Sequence, residues 1–257
     1  MDMEKVVTPT PTSAPGGFQT AVEREVPGRI ARIFEGSPDE LCVRLANFPR
    51  YARRAQVTRF AALYELFKLA QPVKGSIIDC GVFRGFSLMT FAHLSAALEP
   101  NNLTRRIYGF DTFDGFPSVS ELDRPQRTGA AKGDLAADSY EELSKIIDVY
   151  DSDRFLGHIP KVKLVRGDVV ETIPAFITEN QHLVVSMLFL DMDLYEPTVS
   201  ALTNFLPRMP KGSILAFDEL DNPIWPGETL AACEEVGLGR LELRRFDFDP
   251  YIAYAVL

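Results

Sequence analysis

The feature that most limits the fold of this chain is a repeating unit: a short apolar run, a turn rich in glycine or acid, then a helical stretch. The runs are Ser76–Asp79, Ile107–Phe110, Lys161–Val165, Leu183–Leu190 and Ser213–Phe217. Each has the length of a strand rather than of a buried helix. Helical patterns at Ser87–Leu98 and Val169–Ile177 lie between them, and Pro197 and Pro226 each open a helix where proline is tolerated. Strands alternating with helices predict a parallel sheet covered on both faces. Two last runs, Leu241–Phe246 and Tyr251–Val256, are joined by a few residues around Asp249-Pro250 and predict a closing antiparallel hairpin. The expected class is α/β: a Rossmann-like, seven-stranded, mostly parallel sheet with helices on both faces. A chain of 257 residues suits one such domain with additions.

The additions lie upstream. Residues 1–28 are rich in Pro, Thr, Ser and Gly without periodicity, which predicts a mobile tail. Residues 29–72 are expected to be helical, and 73–257 to form the main domain. Ser37-Pro38-Asp39-Glu40 reads as a helix start with Ser37 as N-cap. A second helix is predicted from about Thr58 to Ala70, with Phe60, Leu63, Tyr64 and Phe67 at helical spacing. Residues 111–137 hold no convincing helix or strand. A loop of that length inside a compact domain predicts an active-site lid.

Charge and cysteine usage narrow the partners. Lys plus Arg total 27 against 36 Asp plus Glu, so a net charge of −9 would repel a phosphate backbone, and no nucleic-acid partner is expected. Cys42, Cys80 and Cys233 are too few and too scattered for a disulfide framework or a zinc site. They suit reduced thiols in the cytoplasm. The N-terminal residues carry no apolar signal-peptide core, and Leu183–Leu190 is too short to span a bilayer, so no membrane partner is expected. Symmetric self-association into a homo-oligomer is expected from how commonly soluble enzymes form one.

The turn after the first strand is Asp79-Cys80-Gly81-Val82-Phe83-Arg84-Gly85-Phe86-Ser87. Gly81 allows a sharp turn and Gly85 a close approach of backbone to a ligand. Ligands of open α/β sheets bind at the carboxyl ends of strands, where this loop must lie. Its spacing is not the G-x-G-x-x-G of dinucleotide enzymes. The second strand ends at Asp111, placed to take both hydroxyls of a ribose. The third ends at Asp168, beside the expected adenine position, where it could equally cap the next helix. Asp79, Gly81, Gly85 and Asp111 in this order point to a bound nucleoside.

The fourth strand runs into Asp191-Met192-Asp193-Leu194-Tyr195-Glu196-Pro197, and the fifth into Asp218-Glu219-Leu220-Asp221-Asn222. Neighbouring strand ends would bring Asp191 and Asp218 together. Clustered carboxylates repel unless a cation joins them. Oxygen-only ligands suit Mg²⁺, Ca²⁺ or Mn²⁺. His93, His158 and His182 fall at no strand carboxyl end and are expected to be structural. Trp225 follows the acidic loop, as a substrate wall or as ordinary packing.

From about Thr58 to Thr229 the chain resembles the macrocin and mycinamicin family of sugar O-methyltransferases, to which a novobiocin noviose methyltransferase is related. The resemblance is most specific at Asp79–Ser87, Tyr108–Pro117, Leu190–Thr198 and Phe217–Glu219. It implies a class I S-adenosylmethionine-dependent methyltransferase fold. It also implies S-adenosylmethionine held by Asp79, Gly81, Gly85, Ser87, Asp111 and Asp168. The expected substrate is a sugar hydroxyl, on a nucleotide-linked or antibiotic-attached deoxysugar. The resemblance further implies a divalent metal, expected to be Mg²⁺, with Asp191 as both ligand and general base and the acidic pair Asp218 and Glu219 as the other ligands. The family carries two aspartates at that pair. Here the second is Glu219, one methylene longer, which leaves Asp221 or a water as alternative third ligands.

Rival readings are weaker. Catechol and caffeoyl-type O-methyltransferases carry a lysine base three residues after the aspartate matching Asp191, where this chain has Leu194. A nicotinamide oxidoreductase lacks support without G-x-G-x-x-G. A non-catalytic nucleoside-binding module would be excluded by cofactor turnover.

Overall fold

The computed structural model describes residues 20–123 and 131–257, so the first part of the expected tail and part of the expected lid lie outside the described residues. The chain divides into two compact units, Met1–Thr58 and Arg59–Leu257. In the first, helix α1 (Ala21–Glu35) begins inside the stretch read from composition as tail. Its start is a capping box: the Thr20 hydroxyl accepts from Glu23 N at 3.2 Å, and Thr20 N donates to the Glu23 carboxylate at 2.8 Å. That Thr-x-x-Glu signal outweighs Pro27 and Gly28. Helix α2 (Leu41–Ala46) starts later than expected, with Glu40 rather than Ser37 at the cap. The Ser37 hydroxyl instead accepts from Asp39 N, two residues on, closing a local turn.

In the second unit the strands are β1 (Ser76–Cys80), β2 (Ile107–Asp111), β3 (Val162–Arg166), β4 (Val185–Leu190), β5 (Ile214–Phe217), β6 (Arg244–Phe246) and β7 (Asp249–Val256). They form one sheet in the order β3-β2-β1-β4-β5-β7-β6. β1 to β5 are parallel, β7 runs antiparallel to β5, and β6 closes the edge antiparallel to β7. The expected hairpin is therefore present. β4 is the middle strand and β1 its neighbour, and every residue of both strands is buried, as a sheet covered on both faces requires.

Alternation along the strands sends successive side chains to opposite faces. Ile77, Ile107, Met187, Phe189 and Ile214 join one core cluster with α3 (Arg54–Ala70), α4 (Phe86–Leu98) and α5 (Tyr140–Asp153). Ile78, Phe110, Leu188, Leu190 and Phe217 join the other with α6 (Val169–Glu179), α7 (Tyr195–Phe205) and α8 (Gly227–Glu235). α5 has no counterpart in the sequence reading. Its buried face is Leu143, Ile147 and Tyr150, at helical spacing, and the Tyr150 hydroxyl donates to Ala92 O at 2.7 Å. α7 begins two residues before Pro197, which leaves the proline in the first turn where its missing N–H costs nothing.

The described part of the expected lid, 111–123 and 131–137, starts with the last residue of β2 and then holds only a 3-10 turn at Glu121–Asp123. The loop is folded on itself: Phe116 N donates to Asp134 O and Gly133 N to Phe116 O.

Candidate active site at the strand ends

The parallel strands of the sheet end on one edge, and the sequence-predicted residues gather there. Asp79 is fully buried near the end of β1. The Ser87 hydroxyl, from the first turn of α4, donates to Asp79 Oδ2 at 2.8 Å, while Asp79 Oδ1 is buried without a partner. Burial pushes the Asp79 carboxyl up to about 7, with the Ser87 hydrogen bond pulling the other way. Gly81 has φ +95°, and a Cβ there would lie 1.9 Å from the Asp191 carbonyl oxygen. The glycine turn and the end of β4 are thus in backbone contact, which no other residue permits. Gly85, at φ +85°, begins α4 in the left-handed conformation.

Asp111 ends β2, and each of its oxygens takes a backbone N–H. Oδ2 accepts from Phe83 N at 2.7 Å and Oδ1 from Phe113 N at 2.6 Å. The acid expected to hold ribose therefore also ties the glycine turn to the loop after β2. A carboxylate oxygen has a second lone pair, so both oxygens still have acceptor capacity. Asp168 caps α6, accepting from Val170 N at 3.0 Å. It also lines a cavity of about 300 Å³ with Thr112, Gly115, Phe116, Lys132 and Gly167.

Asp191 and Asp218 follow β4 and β5 and continue the ladder: Asp191 N donates to Cys80 O and Asp218 N to Leu190 O, both at 2.9 Å. Their carboxylates are joined by a guanidinium. Arg59 donates from Nη2 to Asp191 Oδ2 at 2.6 Å and from Nη1 to Asp218 Oδ1. Burial opposes the Arg59 charge, but Asp191 and Asp218 more than offset it and hold the group protonated. Asp191 is raised well above the usual carboxylate range by burial and by Asp218, against the pull of Arg59.

Three further acids surround this pair. Asp193, with φ +64°, is pushed up to about 8 by burial and by Glu219. Glu219 is raised to about 7 by burial and Asp218, and its carboxylate accepts from Asn222 Nδ2. Glu228, fully buried in the first turn of α8, accepts from Met192 N and Asp193 N on one oxygen and from Glu219 N on the other. It ties the loops after β4 and β5 together. Asp123, 2% exposed, accepts from Tyr195 N at 2.7 Å and so anchors the loop after β2 to the start of α7. Phe116 of the same loop packs edge-on against Trp225, with ring centroids 5.7 Å apart. Arg59, Glu228 and Asp123 were missed by sequence reasoning. The His93 ring packs edge-on against Tyr150 of α5.

The family model for macrocin O-methyltransferase (TylF) matches residues 54–232. The chain belongs to this family. The matched stretch runs from α3 through most of α8 and so contains the whole acidic cluster. Among solved structures, the chain is similar to CalS11, a calicheamicin methyltransferase, with 38% identity, a TM-score of 0.88 and 93% of each chain covered. An apo structure of CalS11, a TDP-rhamnose 3'-O-methyltransferase in calicheamicin biosynthesis, matches at 36% identity, TM-score 0.81 and 93% and 95% coverage. Among curated proteins, an 8-demethyl-8-(2,3-dimethoxy-α-L-rhamnosyl)-tetracenomycin-C 4'-O-methyltransferase of Streptomyces olivaceus is 30% identical over 156 residues. That alignment covers 59% of this chain and 55% of the relative, so the chain spans about half the length of the curated relatives it matches. The structure of the O-methyltransferase NovP, at 21% identity and TM-score 0.61, shares the fold. The expected class I S-adenosylmethionine-dependent methyltransferase fold is thus the observed one.

The groups implied by the family can be tested against the residues present. Asp79 Oδ1, a buried acceptor without a partner beside the glycine turn, suits an ammonium-bearing ligand. For a divalent metal, the donor set is all oxygen, and Asp191, Asp193, Asp218, Glu219 and Glu228 stand against Arg59 as the cation bonded among them. That excess of negative charge suits a hard divalent ion. Among the described residues, no three His, Cys, Asp or Glu side chains converge to enclose one in this conformation. Arg59 holds one oxygen of each of two of the three expected ligands.

Proposed function

We propose that this chain is an S-adenosylmethionine-dependent O-methyltransferase that methylates a hydroxyl of a 6-deoxysugar, nucleotide-linked or attached to an antibiotic scaffold, with a divalent cation, Mg²⁺. The observation that carries this reading is the approach of Asp191 and Asp218 from neighbouring strand ends, with Gly81 against the Asp191 backbone, in a chain of the macrocin family. The similarity to CalS11, named as acting on TDP-rhamnose, and to a curated rhamnosyl O-methyltransferase supports a deoxysugar acceptor.

The chemistry asks little of the protein beyond placement. When bound, S-adenosylmethionine supplies an already activated methyl group, and a divalent ion supplies a positive charge that orients a hydroxyl and lowers its pKa. Asp79, Gly81, Gly85, Ser87, Asp111 and Asp168 would hold the cofactor along the ends of the first three strands. Asp191, Asp218 and Glu219 would hold the ion. Holding the hydroxyl in line with the methyl contributes roughly 7–11 kcal/mol. Asp191 would take the hydroxyl proton as general base. Phe116 and Trp225 form an apolar wall suited to the unsubstituted face of a deoxysugar. Leu194, 2% exposed, stands where a caffeoyl-type enzyme would need its lysine, so that reading gains nothing.

The test is methyl transfer, followed by mass spectrometry, to a panel of nucleotide-linked and antibiotic-attached 6-deoxysugars. Chelator is expected to abolish turnover and Mg²⁺ to restore it. Asp191→Asn is expected to lower kcat by about 10²–10⁴-fold while cofactor affinity holds. Full turnover in excess chelator would reject the metal, and unchanged kcat in Asp191→Asn would reject the base.

A further inference from the structure

Arg59 is the residue whose position the proposed mechanism leaves without a task. It lies in α3, 132 residues before Asp191 and 159 before Asp218, and it bonds both. Its guanidinium carbon lies 5.6 Å from the ring centroid of Phe189 in β4. The Arg59 side chain is 25% exposed, as is that of Asp191, and that of Asp218 is 11% exposed, so the bridge is sheltered but reachable. The fork of a guanidinium can engage two carboxylates at once, and a compact ammonium cannot do so in the same geometry. Its bonds go to Asp191 Oδ2 and Asp218 Oδ1, on two of the carboxylates that would have to face a metal.

We infer that Arg59 is a displaceable counter-cation: it bridges Asp191 and Asp218 until a divalent ion takes their oxygens, and the ion binds by expelling it. This inference rests on the metal reading of the site. Two like-charged carboxylates at adjacent strand ends repel, and the bridge relieves that repulsion while no ion is present. A third carboxylate, Asp249 at the start of β7, also favours the charged form of Arg59. Each of the two oxygens the fork releases would be free to face the ion. The same exchange links metal loading to α3, because Arg59 lies on that helix.

Displacement has a signature that simple charge repulsion lacks. A site closed by the bridge nine-tenths of the time binds its ion about tenfold more weakly than an open one. Arg59→Lys keeps the charge but removes the fork. It is expected to bind Mn²⁺ about tenfold more tightly than the wild type, measured on the chelator-stripped full chain by electron paramagnetic resonance of free Mn²⁺. Arg59→Gln is expected to bind at least as tightly as Arg59→Lys, and circular dichroism checks that both are folded. In the wild type, the ¹⁵N guanidinium signal absent from Arg59→Lys is expected to shift as diamagnetic Mg²⁺ is added. Equal or weaker Mn²⁺ binding by Arg59→Lys, with an unmoved guanidinium signal, overturns displacement while leaving the metal site standing. Absence of Mn²⁺ binding in the wild type and both variants overturns the metal reading itself, and displacement with it.

Discussion

Single carboxylates here carry more than one task, and their chemistry follows from what surrounds each oxygen. Asp111 is the clearest case, since both its oxygens already accept backbone N–H groups from Phe83 and Phe113. Asp111→Ala is expected to weaken S-adenosylmethionine binding by about 1.5–3 kcal/mol in calorimetry, the worth of hydrogen bonds to a charged group. Unchanged affinity would confine Asp111 to tying loops. Asp79 gives a pH signature. Its carboxyl, ordinarily near 3.8, is raised to about 7 in the folded state, chiefly by burial. The folded state then binds more protons than the unfolded one between those values. The contribution is fully present below the ordinary pKa and is lost as pH rises through about 7, with a size on the order of a few kcal/mol. Melting temperatures from pH 5 to 8 are expected to fall less in Asp79→Asn than in the wild type. Parallel curves would show that Asp79 is not the group responsible.

At the scale of elements, the strand ends are ordered by ties that cross between loops. Glu228 reaches from α8 to three backbone N–H groups, on Met192, Asp193 and Glu219, and so fixes the loops after β4 and β5 in one arrangement. Burial pushes its carboxyl well up, with Asp193 and Asp218 adding to the shift. Glu228→Ala would leave those donors without their acceptor, at about 1–3 kcal/mol for a buried unsatisfied group. The urea midpoint is expected to fall with an unchanged m-value, and Glu228→Gln to lie between the two. A midpoint equal to the wild type in Glu228→Ala would mean the loops hold themselves. Asp123 plays the corresponding part for the loop after β2, by accepting from Tyr195 N at the start of α7.

For the whole molecule, the balance of charge and the crowding of acids point the same way. The chain carries a net charge of −9, and five of its acids meet at the ends of β4 and β5 and in the first turn of α8. A divalent ion that binds only the folded state stabilises it by about 2.7 kcal/mol at a hundred times its Kd. Mg²⁺ is therefore expected to raise the melting temperature more than NaCl at equal ionic strength, which only screens. The same rise with both salts would assign the effect to screening. Among the described residues no helix is long and apolar enough to cross a membrane.

The alternation of strand and helix, the closing hairpin, the glycine turn and the acids at the strand ends were all legible in the sequence. They are local signals: a period of two or of 3.6, a proline in a first turn, an aspartate after an apolar run. Two helices escaped that reading although their signals were present, the Thr20 and Glu23 capping box of α1 and the Leu143, Ile147 and Tyr150 face of α5. What only the tertiary structure decided is who faces whom. Arg59 sits in a helix where an arginine ordinarily points to water, and Glu228 in a helix first turn where a glutamate is ordinarily solvated. Neither carries a local mark of its role, because that role is made by packing residues more than a hundred positions apart for Arg59, and two loops onto one buried carboxylate for Glu228. Carboxylate chemistry at a sheet edge was readable from one strand at a time, whereas the counter-charges and ties that set its state exist only once the strands lie side by side.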